Sequence, residues 1–325
     1  VVSVLEVARS RSNDDYVRPE ASSGFVITPF VDDVIDRACV YLKAGYAVHL
    51  SGVAGIGKTT LAFHIAATLG RPVSLMHGDD EFKSSDLVGN DSGYSKRRLV
   101  DNYIPSVMKT EEEMKSLWVD NRLTTACKNG DTLIYDEFTR SRPEANNAFL
   151  SVLSEGILNM PKLRNTGQGY MRVHPDFRAI FTSNPEEYVG THKIQDALLD
   201  RMITIQLDHY DRETEVQITM AKSGVSREDA EVIVDAVRNV RSASVNKKGP
   251  SLRACIIIAR VLVARGAHAK SGDPVYESVV RDVLGLETAR VTRSGLSASV
   301  NSSRETSEEL TNRGARFSSR KRGKK

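Results

Sequence analysis

Gly52-Val53-Ala54-Gly55-Ile56-Gly57-Lys58-Thr59 satisfies the G-x-x-x-x-G-K-[ST] pattern at every fixed position. The chemistry is that of a phosphate cradle. Glycines let backbone N–H groups approach phosphate oxygens without a Cβ in the way, and a helix opening at Lys58, Thr59 and Thr60 adds its positive end. Lys58 then reaches the β- and γ-phosphates of a nucleoside triphosphate, and the Thr59 hydroxyl holds Mg²⁺. A second group, Asp136-Glu137, follows the apolar run Thr132-Leu133-Ile134-Tyr135. Asp136 is suited to holding the same Mg²⁺ through water, and Glu137 to polarising the water that attacks the γ-phosphate. A third, Asn184, ends another apolar run and can orient that water, although an amide before Pro185 also suits a plain turn.

These residues need a scaffold that delivers them to one edge. Tyr46 to Leu50, Val73 to Met76, Thr132 to Tyr135, Phe177 to Phe181 and Met202 to Leu207 read as short strands. They alternate with helical stretches, so the expected fold is α/β with a five-stranded parallel sheet. Thr28-Pro29 reads as an N-cap followed by proline in the first turn of a helix over 31–42. In open α/β sheets ligands sit beyond the carboxyl ends of the strands, where the loop, both carboxylates and Asn184 would all emerge. The sequence beyond Leu207 changes character. Ser226-Arg227-Glu228-Asp229 resembles a capping box before a helix over 230–240, and further apolar helices are expected at 251–264 and 275–284. The expected division is a loose N-terminus (1–24), an α/β nucleotide-binding core (25–208), a small all-helical domain (209–292) and a basic C-terminal tail (293–325).

The chain has 325 residues, enough for about two domains, and a net charge of +3 that does not by itself call for nucleic acid. Its longest apolar stretch, 254–264, is broken by Arg260, so no membrane partner is expected. No export signal is read at the start, and a cytoplasmic location is expected. Cys39, Cys127 and Cys255 form no C-x-x-C pair, which argues against a zinc site or a disulfide framework. The carboxylate-free run from Arg313 onward reads as a solvated basic tail, with contact to acidic partners or nucleic acid as the alternative.

Arg201 closes Asp196-Ala197-Leu198-Leu199-Asp200-Arg201 ahead of the last strand. It suits insertion into a neighbouring subunit's site, where it would neutralise charge on the transferred phosphoryl group. A local ion pair with Asp200 or Asp196 is the plainer alternative. The series of Gly52 to Thr59, Asp136-Glu137, Asn184, Leu199-Asp200-Arg201 and Ser251-Leu252-Arg253-Ala254 resembles AAA+ ATPases of the MoxR branch, over about 28–291. The resemblance implies a P-loop AAA+ core with a helical lid and an ATP- and Mg²⁺-dependent ATPase acting as a homo-oligomer, a hexameric ring. It assigns Asn184 and Arg253 as sensors and Arg201 as the arginine finger. Arg140 and Arg142 become candidates for contacts across a subunit boundary, or simply helix-surface arginines.

Two inserts fit that branch. Residues 78–130 suit its helix-2 insert, and 156–175 reads as a hairpin. Tyr94, Lys96, Arg97, Tyr170 and Arg172 are their candidate client contacts, with solvated loop residues as the alternative. Longer phrases, among them Gly78-Asp79-Asp80-Glu81-Phe82, Tyr135 to Asn147 and Asp208-His209-Tyr210-Asp211-Arg212-Glu213, resemble the gas vesicle protein N family. That resemblance implies an accessory ATPase in gas vesicle assembly, a remodelling factor or chaperone with shell or accessory proteins as partners. The rival expectations are an activator of another protein complex or enzyme, a nucleic-acid-stimulated motor, and a structural shell-binding module that uses nucleotide only to fix its shape.

Overall fold

The computed structural model describes residues 25–101, 109–160, 169–184, 192–243 and 249–285, with the backbone alone for 90–101 and 109–118. By its internal contacts the chain divides into two compact units, with the break between Asp208 and His209.

The first unit opens with helix α1 (Pro29–Lys43), whose Thr28 Oγ1 accepts the Val31 N–H while Pro29 occupies the first turn. Its apolar face, including Val34, Ala38 and Leu42, is fully buried. Strand β1 (Ala47–Gly52) leads through the glycine loop into α2 (Lys58–Leu69), and β2 (Val73–His77) follows. The segment 78–130 then holds a short helix, α3 (Ser84–Val88), and a long antiparallel hairpin, β3 (Gly89–Asp101) and β4 (Lys109–Asp120). It ends in α4 (Arg122–Asn129), so the insert is built of both helix and sheet.

Strand β5 (Thr132–Asp136) is buried along its whole length. After a 3₁₀ turn (Phe138–Arg140) come α5 (Pro143–Asn146) and α6 (Ala148–Glu155), then the hairpin β6 (Ile157–Asn159) and β7 (Tyr170–Arg172). Strand β8 (Arg178–Ser183), the single turn α7 (Asp196–Leu199) and β9 (Met202–Leu207) complete the unit. The main sheet has five parallel strands in the order β2-β5-β8-β1-β9. β1 thus lies between β8 and β9, and its neighbour β8 lies against β5. This order puts the glycine loop after β1 beside the ends of both β8 and β5. Tyr135, Phe138, Phe149 and Phe181 pack as a buried aromatic cluster with ring centroids 5.2–6.1 Å apart, a geometry favourable for edge and tilted contacts.

The second unit is helical over its described residues: α8 (Arg212–Ser223), α9 (Arg227–Ala243), α10 (Leu252–Arg265) and α11 (274–285). Its centre holds a charge. The Glu215 carboxylate is buried and receives Arg238 at 3.0 Å and Arg241 at 2.8 Å. The expected capping box at 226–229 forms only in half. Ser226 Oγ accepts the Asp229 N–H, but the Asp229 carboxylate takes the Ser226 hydroxyl, the Ala269 N–H and His268 instead of the Ser226 backbone. Its oxygens therefore tie the start of α9 to the segment after α10.

The expected tails, 1–24 and 293–325, lie outside the described residues, as does most of the 156–175 hairpin's tip. Among the described residues no helix is long and apolar enough to cross a membrane.

Candidate nucleotide-hydrolysis site

The glycine loop ends at Gly57, which takes φ +99 as the residue before α2. That left-handed turn is open to glycine and strained for other residues. No side chain caps the helix start, so its first N–H groups point into the loop as an anion cradle. Ile56 anchors the loop by burying its side chain, while Val53, Ala54 and Gly55 are partly exposed and Thr60 is exposed on α2.

Lys58 is 6% exposed and its ammonium donates to Gly52 O at 2.8 Å, Val53 O at 2.9 Å and Asn184 Oδ1 at 2.8 Å. The other end of the Asn184 amide lies 3.5 Å from Glu137 Oε1. Glu137 Oε2 in turn receives Arg140 Nε at 2.8 Å. A single polar chain therefore runs from Lys58 through Asn184 and Glu137 to Arg140.

Asp136 forms the second branch. Its Oδ1 accepts the Thr59 hydroxyl at 2.8 Å and the Thr182 hydroxyl at 2.5 Å, and its Oδ2 lies 3.5 Å from His77 Nδ1. Thr182 Oγ1 also accepts the Glu137 N–H at 2.9 Å. One hydroxyl thereby fixes both the side chain of Asp136 and the backbone of Glu137. Sequence reasoning passed over Thr182, although it lies two residues before Asn184, where alternation in a strand directs both to one face.

Behind the site, His49 on β1 reaches both neighbouring strands, with Nδ1 3.0 Å from Thr204 Oγ1 and Nε2 2.8 Å from Ser183 Oγ. Its ring meets Phe138 edge-on at 5.3 Å. Burial, and secondarily the charge of Lys58, lower its pKa to about 4. The ring is neutral at pH 7 and acts as a hydrogen-bonded strut. A lone histidine in an apolar strand carries no pattern that would mark it as part of the site.

The outlying arginines divide. Arg201 donates to the Ala197 carbonyl of its own helical turn, and among the described residues it pairs with neither Asp196 nor Asp200. Arg142 pairs with Asp80, which His192 also approaches at 2.8 Å, so both Arg140 and Arg142 are engaged within the chain. Arg253 is exposed on the first turn of α10 in the second unit. Tyr170 and Arg172 are exposed on β7. Tyr94, Lys96 and Arg97 lie on β3, opposite Ser116, Met114 and Glu113 in register, and their side chains are outside the described residues.

A parallel sheet with a glycine-loop cradle, two carboxylates and an amide at one edge defines a P-loop ATPase of the AAA class, and the AAA domain profile (dynein-related subfamily) matches residues 47–202. The chain is 46% identical over 274 residues to the gas vesicle ATPase GvpN of Ancylobacter aquaticus, spanning 84% of this chain and 76% of that one. It is 39% identical over 285 residues to the gas vesicle ATPase GvpN2 of Halobacterium salinarum, spanning 88% and 80%. The chain belongs to the gas vesicle ATPase GvpN family and is an ATPase. It is also 25% identical over 251 residues to the protein NorQ of Paracoccus denitrificans, spanning 76% of this chain and 85% of that one. Among solved structures, the RuvB branch migration motor of Thermotoga maritima is similar at 17% identity and a TM-score of 0.48, over 81% of this chain and 72% of that one.

Proposed function

We propose that the chain hydrolyses ATP in a hexameric ring and uses the cycle to remodel or chaperone shell or accessory proteins during gas vesicle assembly in the cytoplasm. The observation that carries the hydrolytic part is the convergence of Lys58, Thr59, Asp136, Glu137 and Asn184 at one sheet edge within hydrogen-bond reach of one another. The names of its relatives support the assembly part.

Thr59 Oγ1 and Asp136 Oδ1, 2.8 Å apart, are hard oxygen donors of the kind Mg²⁺ accepts while keeping most of its waters. They would hold that ion, which when bound supplies neutralising charge to the phosphates. The loop N–H groups and Lys58 bind the β- and γ-phosphates. Asn184, bonded to Lys58 on one side and facing Glu137 on the other, positions the attacking water between them. Glu137 takes a proton from that water as its oxygen bonds to the γ-phosphorus. The bond from the γ-phosphorus to the bridging oxygen breaks, the electron pair stays on ADP, and Glu137 returns its proton to the released phosphate. Arg201 completes the site from the next subunit, and Arg253 reports the γ-phosphate to the helical unit.

Mixed oligomers test the shared site. Lys58→Ala and Arg201→Ala chains should each be inactive and should regain part of the ATPase activity when mixed under conditions that allow exchange. A mixture as inactive as its parts would remove the ring reading. For the assembly role, Glu137→Gln should bind ATP, retain client proteins in a pull-down and fail to support vesicle formation; normal vesicles with this variant would count against it.

A further inference from the structure

At the opposite end of the sheet from the nucleotide residues lies a cleft of 310 Å³, built from the end of α1, the start of β1, the end of α6 and the segment 173–179. Ala47 and Arg178 are the first residues of β1 and β8, while Gly52 and Ser183 are the last. A strand of that length spans about 17 Å. The cleft is therefore separate from the hydrolytic machinery.

Its charge is one-sided. Lys43 and Arg178 line it, and no carboxylate does. Arg178 Nη1 donates to the Pro175 and Phe177 carbonyls at 2.7 Å each, which hold the guanidinium in place without neutralising it. Asp176, the nearest acid in sequence, is not in the lining; it pairs with Arg71, and its Oδ2 also lies 3.8 Å from His174 Nδ1. Among the described residues neither Lys43 nor Arg178 forms an ion pair. His174 accepts the Asp176 N–H at Nδ1, so a neutral ring carries its proton on Nε2 and adds a donor. At the α1 side the Val40, Tyr41 and Leu42 carbonyls receive the N–H groups of Ala44, Tyr46 and Gly45. An anion in the cleft would meet two cationic side chains, the exposed Lys43 and the held Arg178.

The lining is mainly polar, with a smaller apolar part. Leu153 and Phe177 line the cleft, and Tyr46, 58% exposed, stands at it. Just before Val173, the β7 strand presents Tyr170 and Arg172 to solvent, so the same character continues along the hairpin. A nucleic acid would need a longer track of cations to follow its phosphates. A concave, short cleft, mainly polar with an apolar part at Leu153 and Phe177, instead suits a peptide carrying carboxylates and an occasional apolar side chain.

We propose that this cleft docks an extended acidic segment of a partner protein, with carboxylates on Lys43 and Arg178 and an apolar side chain against Leu153 and Phe177. This inference is independent of the hydrolytic reading, since none of these residues belongs to that site. The test uses the full chain and fluorescence anisotropy with a short fluorescein-labelled peptide of alternating Glu and Leu. Binding should weaken about tenfold in Lys43→Glu and in Arg178→Gln, and should fall with added salt, with ATPase activity retained as the sign of an intact fold. The same peptide with Gln for Glu should bind poorly, and free glutamate and oligothymidylate should not displace the acidic peptide. No binding, equal binding by Lys43→Glu, equal binding of the Gln peptide, or displacement by free glutamate or by oligothymidylate would overturn the proposal.

Discussion

A Cβ added to Gly78 would lie 2.1 Å from the carbonyl oxygen of Glu137. The Gly78 N–H also donates to the Asp136 carbonyl at 2.8 Å, so the end of β2 is fastened to the turn that carries both carboxylates. Glu137 itself has φ +51 and is the only non-glycine residue with positive φ among those described. Such a conformation costs about 1–3 kcal/mol and persists where surrounding contacts over-determine it. Here Gly78 on one side and Thr182 on the other supply those contacts.

Gly78→Ala should therefore push the Glu137 peptide out of place. Turnover is expected to fall by roughly a hundredfold, as for other small misplacements of a catalytic group. Nucleotide affinity should change little, since the glycine loop is not touched. Parallel measurements of kcat and of nucleotide binding decide the matter, and a variant that loses both alike would point to general unfolding.

The pair of Arg140 and Glu137, 2.8 Å apart, occupies one oxygen of the proposed base. Both side chains are more than a third exposed, so the pair contributes at most about 1 kcal/mol to stability. Arg140→Ala should leave the melting temperature nearly unchanged and raise kcat a few-fold at constant KM, because Glu137 no longer exchanges an ion pair for water. Steady-state kinetics check this. A drop in kcat would instead assign Arg140 a supporting role in the reaction.

His49 makes stability depend on pH. Its pKa is about 4 in the folded chain against an ordinary 6.5, so the unfolded chain binds the proton more readily. The neutral strut's contribution is fully present above pH 6.5, is lost progressively as pH falls towards 4, and amounts to about 3 kcal/mol over that window. His49→Gln should flatten this part of the profile. Thermal unfolding between pH 7 and 4 measures it, and identical slopes for the two proteins would refute the assignment.

In the helical unit, Glu215→Ala would leave Arg238 and Arg241 facing a buried gap. Breaking a buried charge network in this way costs about 3–5 kcal/mol. Denaturant unfolding followed by a probe in the helical unit should show a loss of that order. A change under about 1 kcal/mol would mean that water reaches the arginines and the network is not truly dry.

Local pattern made much of this protein legible. The five strands and the helices α1, α2, α9 and α10 follow from hydrophobic period, caps and glycine punctuation, all of which act over a few residues. The capping box at 226–229 forms only in half. Asp229 has the right spacing to close it, but His268 and Ala269, some forty residues on, compete for its oxygens. The long hairpin within 78–130 carries no strand signal, because its polar sequence offers no clear apolar alternation.

By itself the sequence determined the kind of chemistry: a phosphate loop, two carboxylates and an amide, each at the end of a recognisable strand. The strand order β2-β5-β8-β1-β9 is a long-range arrangement, and only the folded chain sets it. That order places Asn184 between Lys58 and Glu137, gives Thr182 its double role and lets His49 brace three strands. Partners separated by 45 to 155 residues meet there. Residue type and local period do not encode which distant atoms converge, because convergence is decided by packing of the whole sheet.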